Sequence, residues 1–290
     1  MISLSSKVIV VTGSTRGIGR AIAEACARAG ASVVISSRNA DSVAYTINEL
    51  RASSLAASGI TADAASPEDL RRLFEFSLQN HGRIDVWVNN AGISGGYRTL
   101  QSMTPGEIKD VIDTNLLGTF NSCRLLIPYL REHGGIILNM SGRGGRGNGV
   151  PYQAAYAATK AAVMSLTRSL AAENKGYRIS INCVMPGMVA TDMFKSVATC
   201  PETEKQMDIM PVLLKSFASP IPDVQKLFVE LCGQEPGRYT GRCYSAEKPG
   251  RYLRALAAAP DNAAFVRHTR KAIGSGPDRL QLPHSYAVLP

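Results

Sequence analysis

No stretch of the 290-residue chain approaches the ~18 apolar residues that a membrane-spanning helix needs. The opening segment, Met1 to Lys7, has no charged region followed by an apolar run, so no secretory leader is expected. The six cysteines (Cys26, Cys123, Cys183, Cys200, Cys232 and Cys243) contain no CxxC pair, and the four histidines form no HxxxH pattern. These absences argue against a structural or catalytic metal and against a disulfide framework. Scattered thiols in a chain of this length read as small buried hydrophobes in a reducing compartment, and the expected location is cytoplasmic. Internal repeats and interdomain linkers are absent too. What is present, 45% apolar and 19% charged residues, is enough to bury a core and excludes wholesale disorder.

Acidic residues are few: the net charge is +9. The segment 236–290 holds nine basic residues and three acidic ones, so about two thirds of the excess lies there. That tail is either a solvated basic surface or a patch for an anionic substrate, an acidic carrier protein or a membrane surface.

Short apolar runs alternate with helix-period segments. Strands are expected at Lys7–Thr12, Ser32–Ser37, Gly59–Ala62, Ile84–Asn89, Gly135–Met140 and Tyr177–Val184, with a last one at Gly237–Tyr244. Helices are expected at Gly17–Gly30, Asp41–Arg51, Pro67–Gln79, Thr104–Glu132 and Tyr152–Asn174. Ser66 is an N-cap with Pro67 behind it, and Thr104-Pro105-Gly106-Glu107 is a capping box. Residues 191–234 are expected to be helical in pieces, broken by Pro201, Pro211, Pro220 and Pro222. Alternation of this kind implies an α/β fold: a single doubly wound parallel sheet of the Rossmann type, with helices on both faces. One domain is expected over 1–245, followed by a basic C-terminal extension over 246–290.

Three signals carry chemistry. Thr12-Gly13-Ser14-Thr15-Arg16-Gly17-Ile18-Gly19 lies between the first strand and the first helix, where backbone amides and the helix dipole suit a pyrophosphate. Its spacing is GxxxGxG, not GxGxxG, so a mere connecting turn stays open at this point. The second strand ends Ser36-Ser37-Arg38-Asn39, without the carboxylate that would favour a plain ribose. Arg38 and Arg16, with the Ser37 hydroxyl, suit a 2′-phosphate and hence NADP; otherwise both arginines are solvated loop residues. Tyr156 and Lys160 stand four apart on one helix face. An ammonium there is expected to lower the pKa of the phenol towards neutrality and make it an acid/base. Alone, such a pair is also compatible with surface packing.

Taken together, these motifs resemble the short-chain dehydrogenase/reductase family over roughly residues 5–245. The resemblance rests on TGSTRGIG (Thr12–Gly19), Asp63, NNAG (Asn89–Gly92), Asn115, Ser141, YAATK (Tyr156–Lys160) and PGMVAT (Pro186–Thr191), in family order. It implies NADP(H) as cofactor and a small carbonyl or alcohol as substrate. Gly13, Ser14, Thr15, Arg16, Gly17, Ile18 and Gly19 would hold the pyrophosphate and its flanks, with Ser37 and Arg38 at the adenosine end. Asp63 and the neighbouring Ala64 would meet the adenine, and Asn90, Ala91 and Gly92 the adenosine ribose. Pro186, Gly187, Val189 and Thr191 would line the nicotinamide pocket. Ser141 would bond the substrate oxygen and Tyr156 would exchange the proton. Lys160 would hold the nicotinamide ribose, and Asn115 would hold a relay water. Capping roles for Asp63 and Asn115 stay open. The family also implies a homodimer or homotetramer through the two long helices.

The chain departs from the family pattern in three places. The Ser141-to-Tyr156 spacing is longer than is common, the insert being the glycine-rich Ser141–Gly149, expected to be a mobile loop. Within it Arg143 and Arg146 either meet an anionic substrate group or face water. The usual VDGG ending is missing after Tyr239–Gly241, and the basic extension has no counterpart in short members. IDVWVNNAG, the long loop and PGMVATDM also look similar to the chlorophyll b reductase branch. The expected activity is NADPH-dependent carbonyl reduction. Formyl-tetrapyrrole or 3-oxoacyl thioester reduction are alternatives, and a non-catalytic NADP(H)-sensing scaffold is the rival from another class. Nucleic-acid binding is not expected, because the basic tail brings no recognition helix or aromatic-basic motif.

Overall fold

A computed structural model of the chain describes residues 2–191, 197–208 and 210–246. The expected extension, apart from Ala246, lies outside the described residues.

Seven parallel strands form one sheet: β1 (Val8–Val11), β2 (Ser32–Ser37), β3 (Ala57–Thr61), β4 (Val86–Asn89), β5 (Gly135–Met140), β6 (Ile179–Met185) and β7 (Cys243–Ser245), in the order β3-β2-β1-β4-β5-β6-β7. The central strands are buried along their whole length, as expected where helices cover both faces. Alternation along each strand divides the core in two. Ile9, Val11, Val33, Ile35, Val88 and Leu138 pack beneath α1 (Gly17–Arg28) and α9 (Ile221–Cys232), with Phe228 fully buried between. Val8, Val10, Val34, Trp87, Ile137 and Ile181 face α3 (Pro67–His81) and α5 (Gly118–His133). α2 (Ala40–Ala52) leads from β2 to β3, and α6 (Ala154–Glu173) connects β5 to β6.

The caps match the sequence. Ser66 Oγ accepts from the Asp69 amide at 3.2 Å, and both arms of the Thr104/Glu107 box form, at 3.2 and 2.7 Å. The prolines of 201–222 begin helices rather than only breaking them. Pro201 opens α7 (Pro201–Met207), Pro211 lies in the first turn of α8 (Met210–Phe217) and Pro222 in that of α9, positions where a missing N–H costs nothing.

Two elements differ from expectation. The helix expected over Thr104–Glu132 is α4 (Pro105–Ile112), a π turn (Asp113–Leu117) and α5 in succession. The widened turn carries Asn115, whose carboxamide is drawn into tertiary hydrogen bonds that override regular winding. The last strand is only Cys243–Ser245. Residues 237–242 form turns instead, with Gly237 and Gly241 at positive φ (87° and 74°) and Asn182 bonding the Tyr239 carbonyl and the Arg242 amide.

Beneath the carboxyl edge of the sheet lies a buried polar chain. Trp87 Nε1 and Ser122 Oγ donate to Asn89 Oδ1 at 2.9 and 2.6 Å. Asn89 Nδ2 donates to Asn139 Oδ1 (2.8 Å), and Asn139 Nδ2 to Thr167 Oγ1 (3.0 Å), tying β4, β5, α5 and α6 together.

Candidate active site

The sheet order reverses direction between β1 and β4, and a crevice beyond the carboxyl ends of the strands at such a point is where open α/β sheets bind ligands. The glycine turn and the NNAG segment meet there. Gly13 has φ +63°, and a Cβ on it would approach Ala91 Cα to 3.0 Å; one on Gly19 would lie 2.4 Å from Asn90 Nδ2 and from the Gly13 carbonyl. Asn90 Nδ2 donates to the carbonyls of Thr12 and Gly13, and Thr12 Oγ1 accepts from the amides of Asn90 and Ala91. The motif named Asn90, but only this geometry shows it bracing the turn; Thr12 was missed as a brace, and a threonine ending a strand gives no separate signal.

Other expected cofactor residues divide by what they expose. Ser14 is turned into the sheet, donating to Val11 O at 2.6 Å and accepting from Ser36 N at 3.0 Å, so only its backbone faces outward chemistry. Ile18 packs against the core and Val189 is buried in it, so their side chains do not form a polar site. Asp63 Oδ1 accepts from the Ala65 amide at 2.9 Å, closing the turn before α3, and Ala64 packs its carbonyl against Gly118. Pro186 is buried, Gly187 has φ +78°, and Thr191 Cγ2 comes within 3.5 Å of a Cβ built on Gly17, joining the loop after β6 to the glycine turn. Thr15 and Ser37 are half-buried beside Arg16 and Arg38 in the chain. Both arginines are exposed and have no ion-pair partner among the described residues. Arg16 occupies the α1 N-cap without a side-chain cap, leaving the first amides of the helix open to an anion.

Across the crevice, Tyr156 and Lys160 share the first turns of α6. Lys160 is 4% exposed; its Nζ donates to Met140 O at 2.9 Å and lies 5.4 Å from the Tyr156 ring centre. Burial lowers the ammonium pKa to about 8 and raises that of the Tyr156 phenol to about 12. The expected lowering of the phenol is therefore corrected for the protein alone: desolvation of the phenolate on burial raises its pKa, and the Lys160 ammonium, 5.4 Å from the ring centre, does not reverse this. Ser141 is buried, its Oγ donating to Lys160 O at 3.0 Å.

Asn115 closes on the loop after β4. It accepts from the Ile93 amide at 2.8 Å and donates to Ile93 O at 2.9 Å and to Thr159 Oγ1 at 3.2 Å. Both Nδ2 hydrogens and one acceptor position of Oδ1 are thus held by protein partners, none of them a helix or strand end of the capping kind left open by the sequence. Gly92 brings the group together, since a Cβ there would lie 3.1 Å from Asn115 Oδ1 and 3.6 Å from Lys160 Nζ.

Within the glycine-rich loop expected to be mobile, the first half is packed and Arg146–Gly149 are exposed. Gly144 and Gly145 are buried, and turn bonds run from Gly145 N to Gly142 O and from Gly147 N to Gly144 O, both 2.9 Å. A Cβ on Gly142 would lie 2.7 Å from the Tyr156 hydroxyl, and one on Gly145 2.2 Å from Ser141 Oγ. Gly142 and Gly145 thus let the start of the loop lie against Tyr156 and Ser141. Among the described residues no cluster of His, Cys, Asp and Glu could hold a metal, and no helix is long and apolar enough to cross a membrane.

A seven-stranded doubly wound sheet with a glycine turn at its switch point and a Tyr-Lys pair opposite defines a dinucleotide-type oxidoreductase scaffold. The chain belongs to the short chain dehydrogenase family, whose model matches residues 7–201. It is 36% identical over 210 residues to a chloroplastic chlorophyll(ide) b reductase of Oryza sativa subsp. japonica, covering 70% of this chain and 61% of that one. To the L-fucose dehydrogenase of Oryctolagus cuniculus it is 38% identical over 197 residues, 67% of this chain and 66% of that one. The chain thus matches less than two thirds of the length of these curated relatives. Among solved structures, the 3-ketoacyl-(acyl-carrier-protein) reductase of Brucella melitensis complexed with NADH superposes with a TM-score of 0.73 at 28% identity, covering 84% of this chain and 97% of that one.

Proposed function

We propose that the protein is an NADPH-dependent carbonyl reductase, reversible as an alcohol dehydrogenase. The observation that carries this reading is the grouping of the Tyr156 phenol, the Lys160 ammonium and the Ser141 hydroxyl, joined through Gly92 and Ala91 to a glycine turn with open helix amides. The residues present fit a dinucleotide, because Gly13 and Gly19 leave no room for a side chain and the α1 N-terminus has no acidic residue in its first turn. Gly13 to Gly19 would hold the pyrophosphate, and Arg16 and Arg38 the 2′-phosphate, with Ser37 beside them. Asp63 and Ala64 would border the adenine, and Asn90, Ala91 and Gly92 the adenosine ribose. The loop Pro186–Thr191 would border the nicotinamide, and Lys160 would hold its ribose. Bound, the cofactor supplies the hydride exchanged with a carbonyl carbon.

The chain's own part is the proton and the polarisation. A phenol whose pKa is about 12 stays protonated at neutral pH, so Tyr156 donates to the oxygen of a carbonyl as the carbon is reduced. Ser141 bonds the same oxygen once its hydroxyl turns from Lys160 O. Lys160, protonated below about pH 8, supports the phenolate that remains. Asn115 holds the Ile93 loop and Thr159 in place and acts as a positioning residue. Ile112, Leu117 and Phe120 are exposed along the α4–α5 segment, which supports pairing with a second copy there.

The test is NADPH and NADH oxidation against acyl thioesters, quinones, ketosteroids, aliphatic ketones and aromatic aldehydes. A formyl-tetrapyrrole belongs in the panel, favoured by the 36% identity to the chloroplast reductase. Tyr156→Phe should keep NADPH affinity and lose about 10²–10⁴ in turnover; wild-type turnover in that variant refutes the mechanism.

A further inference from the structure

We propose that Tyr97, Tyr152 and Arg143 form the substrate-selecting rim, taking a flat aromatic carbonyl compound that bears a carboxylate. The proposal rests on the carbonyl-reductase reading above and names the substrate class of that same site.

Residues of the segments following β4, β5 and β6 meet here, Tyr152 standing four residues before Tyr156. Tyr97 is pinned from both sides: its amide donates to Ala198 O at 2.8 Å, and its carbonyl accepts from Thr203 Oγ1 at 2.6 Å. The neighbouring Arg98 amide donates to Tyr152 O at 2.9 Å. These bonds set the two tyrosine rings against each other, centres 5.5 Å apart and tilted by 54°. Both rings are half-buried, so together they still offer apolar aromatic surface. Tyr152 holds this place with φ +64°, a left-handed conformation that a bulky residue rarely adopts. Such backbone strain clusters where a side chain must be aimed.

Charge is as specific. Arg98 is neutralised by Glu107, at 2.5 Å. Arg143 is exposed and has no carboxylate partner among the described residues, yet it is two residues from Ser141 and adjacent to Gly142, which abuts the Tyr156 hydroxyl. Its charge reaches the Tyr97 phenol, where it opposes the rise caused by burial. Gly144, at φ +85° against Ala157, fixes the turn that presents it. A planar ring lying along Tyr97 and Tyr152 with its carbonyl at Tyr156 brings a distal carboxylate to a guanidinium not otherwise engaged. Arginine suits that group because its planar fork can bond both oxygens.

The experiment measures kcat/KM with NADPH for three pairs: benzaldehyde and 4-carboxybenzaldehyde, 2-naphthaldehyde and 6-formyl-2-naphthoate, cyclohexanecarbaldehyde and its 4-carboxy analogue. Wild type should favour each acid over its neutral partner by about tenfold or more, the range of one charge-assisted bond. In Arg143→Gln, a change on an exposed turn, that ratio should fall to about one. Tyr97→Leu should instead erase the preference for aromatic over alicyclic rings and keep the preference for acids; Tyr152→Asn, which tolerates the left-handed backbone, should do the same. Equal turnover of acid and neutral substrates by wild type overturns the proposal, as does an acid preference unaltered in Arg143→Gln. Equal use of cyclohexyl and aromatic rings overturns the role of the tyrosines. If none of these carbonyls, nor any of the broader panel, is reduced with NADPH or NADH, the reductase reading itself fails and this selectivity with it.

Discussion

Replacing Lys160 with methionine separates the cost of burying an ammonium from its use in the site. The side chain is 4% exposed, and burial brings its pKa from the usual 10.5 to about 8. That difference corresponds to roughly 3 kcal/mol by which folding disfavours the charged form at neutral pH. Methionine removes the penalty and keeps most of the volume. Against this stands the lost hydrogen bond to Met140 O, worth about 1–2 kcal/mol. Lys160→Met should therefore be more stable than wild type by about 1–2 kcal/mol at pH 7, and inactive. The gap should also depend on pH. Below pH 8 folded and unfolded chains both hold the proton, and the full penalty applies. Between about 8 and 10.5 the folded chain has released it while the unfolded chain has not, so wild-type stability rises with pH and the gap closes. The assay is urea unfolding of both proteins at pH 7, 8 and 9.5, below the range where the raised Tyr156 pKa adds an opposite slope. A variant less stable than wild type by more than about 1 kcal/mol at pH 7, or a gap that does not narrow by pH 9.5, refutes the reasoning.

Three further outcomes test other parts of the site. Gly145→Ala places a methyl where a Cβ would lie 2.2 Å from Ser141 Oγ, so turnover should fall about 10–100-fold with NADPH affinity unchanged in a fluorescence titration; equal loss of binding would locate the damage elsewhere. Asn139→Ala leaves Asn89 Nδ2 with only the long contact to Cys123 Sγ (3.8 Å) and removes a partner from Thr167, and should cost about 2–3 kcal/mol in denaturant midpoint analysis; a loss under about 1 kcal/mol would mean water replaces the amide. Arg38→Asp should raise the KM for NADPH and move preference towards NADH, and an unchanged ratio removes Arg38 from the 2′-phosphate site.

Much of the scaffold was legible from local signals. β1 and β2 read as β-branched runs, Ser66 and Thr104 announced their helix starts, and the glycines of Thr12–Gly19 could only serve a tight turn after a strand. Tyr156 and Lys160 were found because helical spacing alone puts positions four apart on one face. Such features depend on a few neighbouring residues, which a sequence displays directly.

What escaped the sequence depends on partners far along the chain. Asn115 sits in a π turn because Ile93 and Thr159 compete for its carboxamide, and nothing near Asn115 names them. The loop Ser141–Gly149 looked free because glycine is permissive, whereas packing against Ala157 and Ser141 turned that permission into close contact. Tyr97 lies in a stretch, Gly95–Thr99, that the family resemblance marks as variable, but nothing in the sequence paired its ring with that of Tyr152. The direction of the Tyr156 shift was the subtlest case. Sequence supplied the ammonium beside the phenol, but only the tertiary structure supplied the burial. Sequence by itself determined the element order and the glycine turn, since these follow from local periodicity and residue type, and it offered Ser141, Tyr156 and Lys160 as candidate reacting groups through the family resemblance. Tertiary structure decided the proton affinities of Tyr156 and Lys160 and the shape of their surroundings, because desolvation and packing are set by atoms that meet only in the fold.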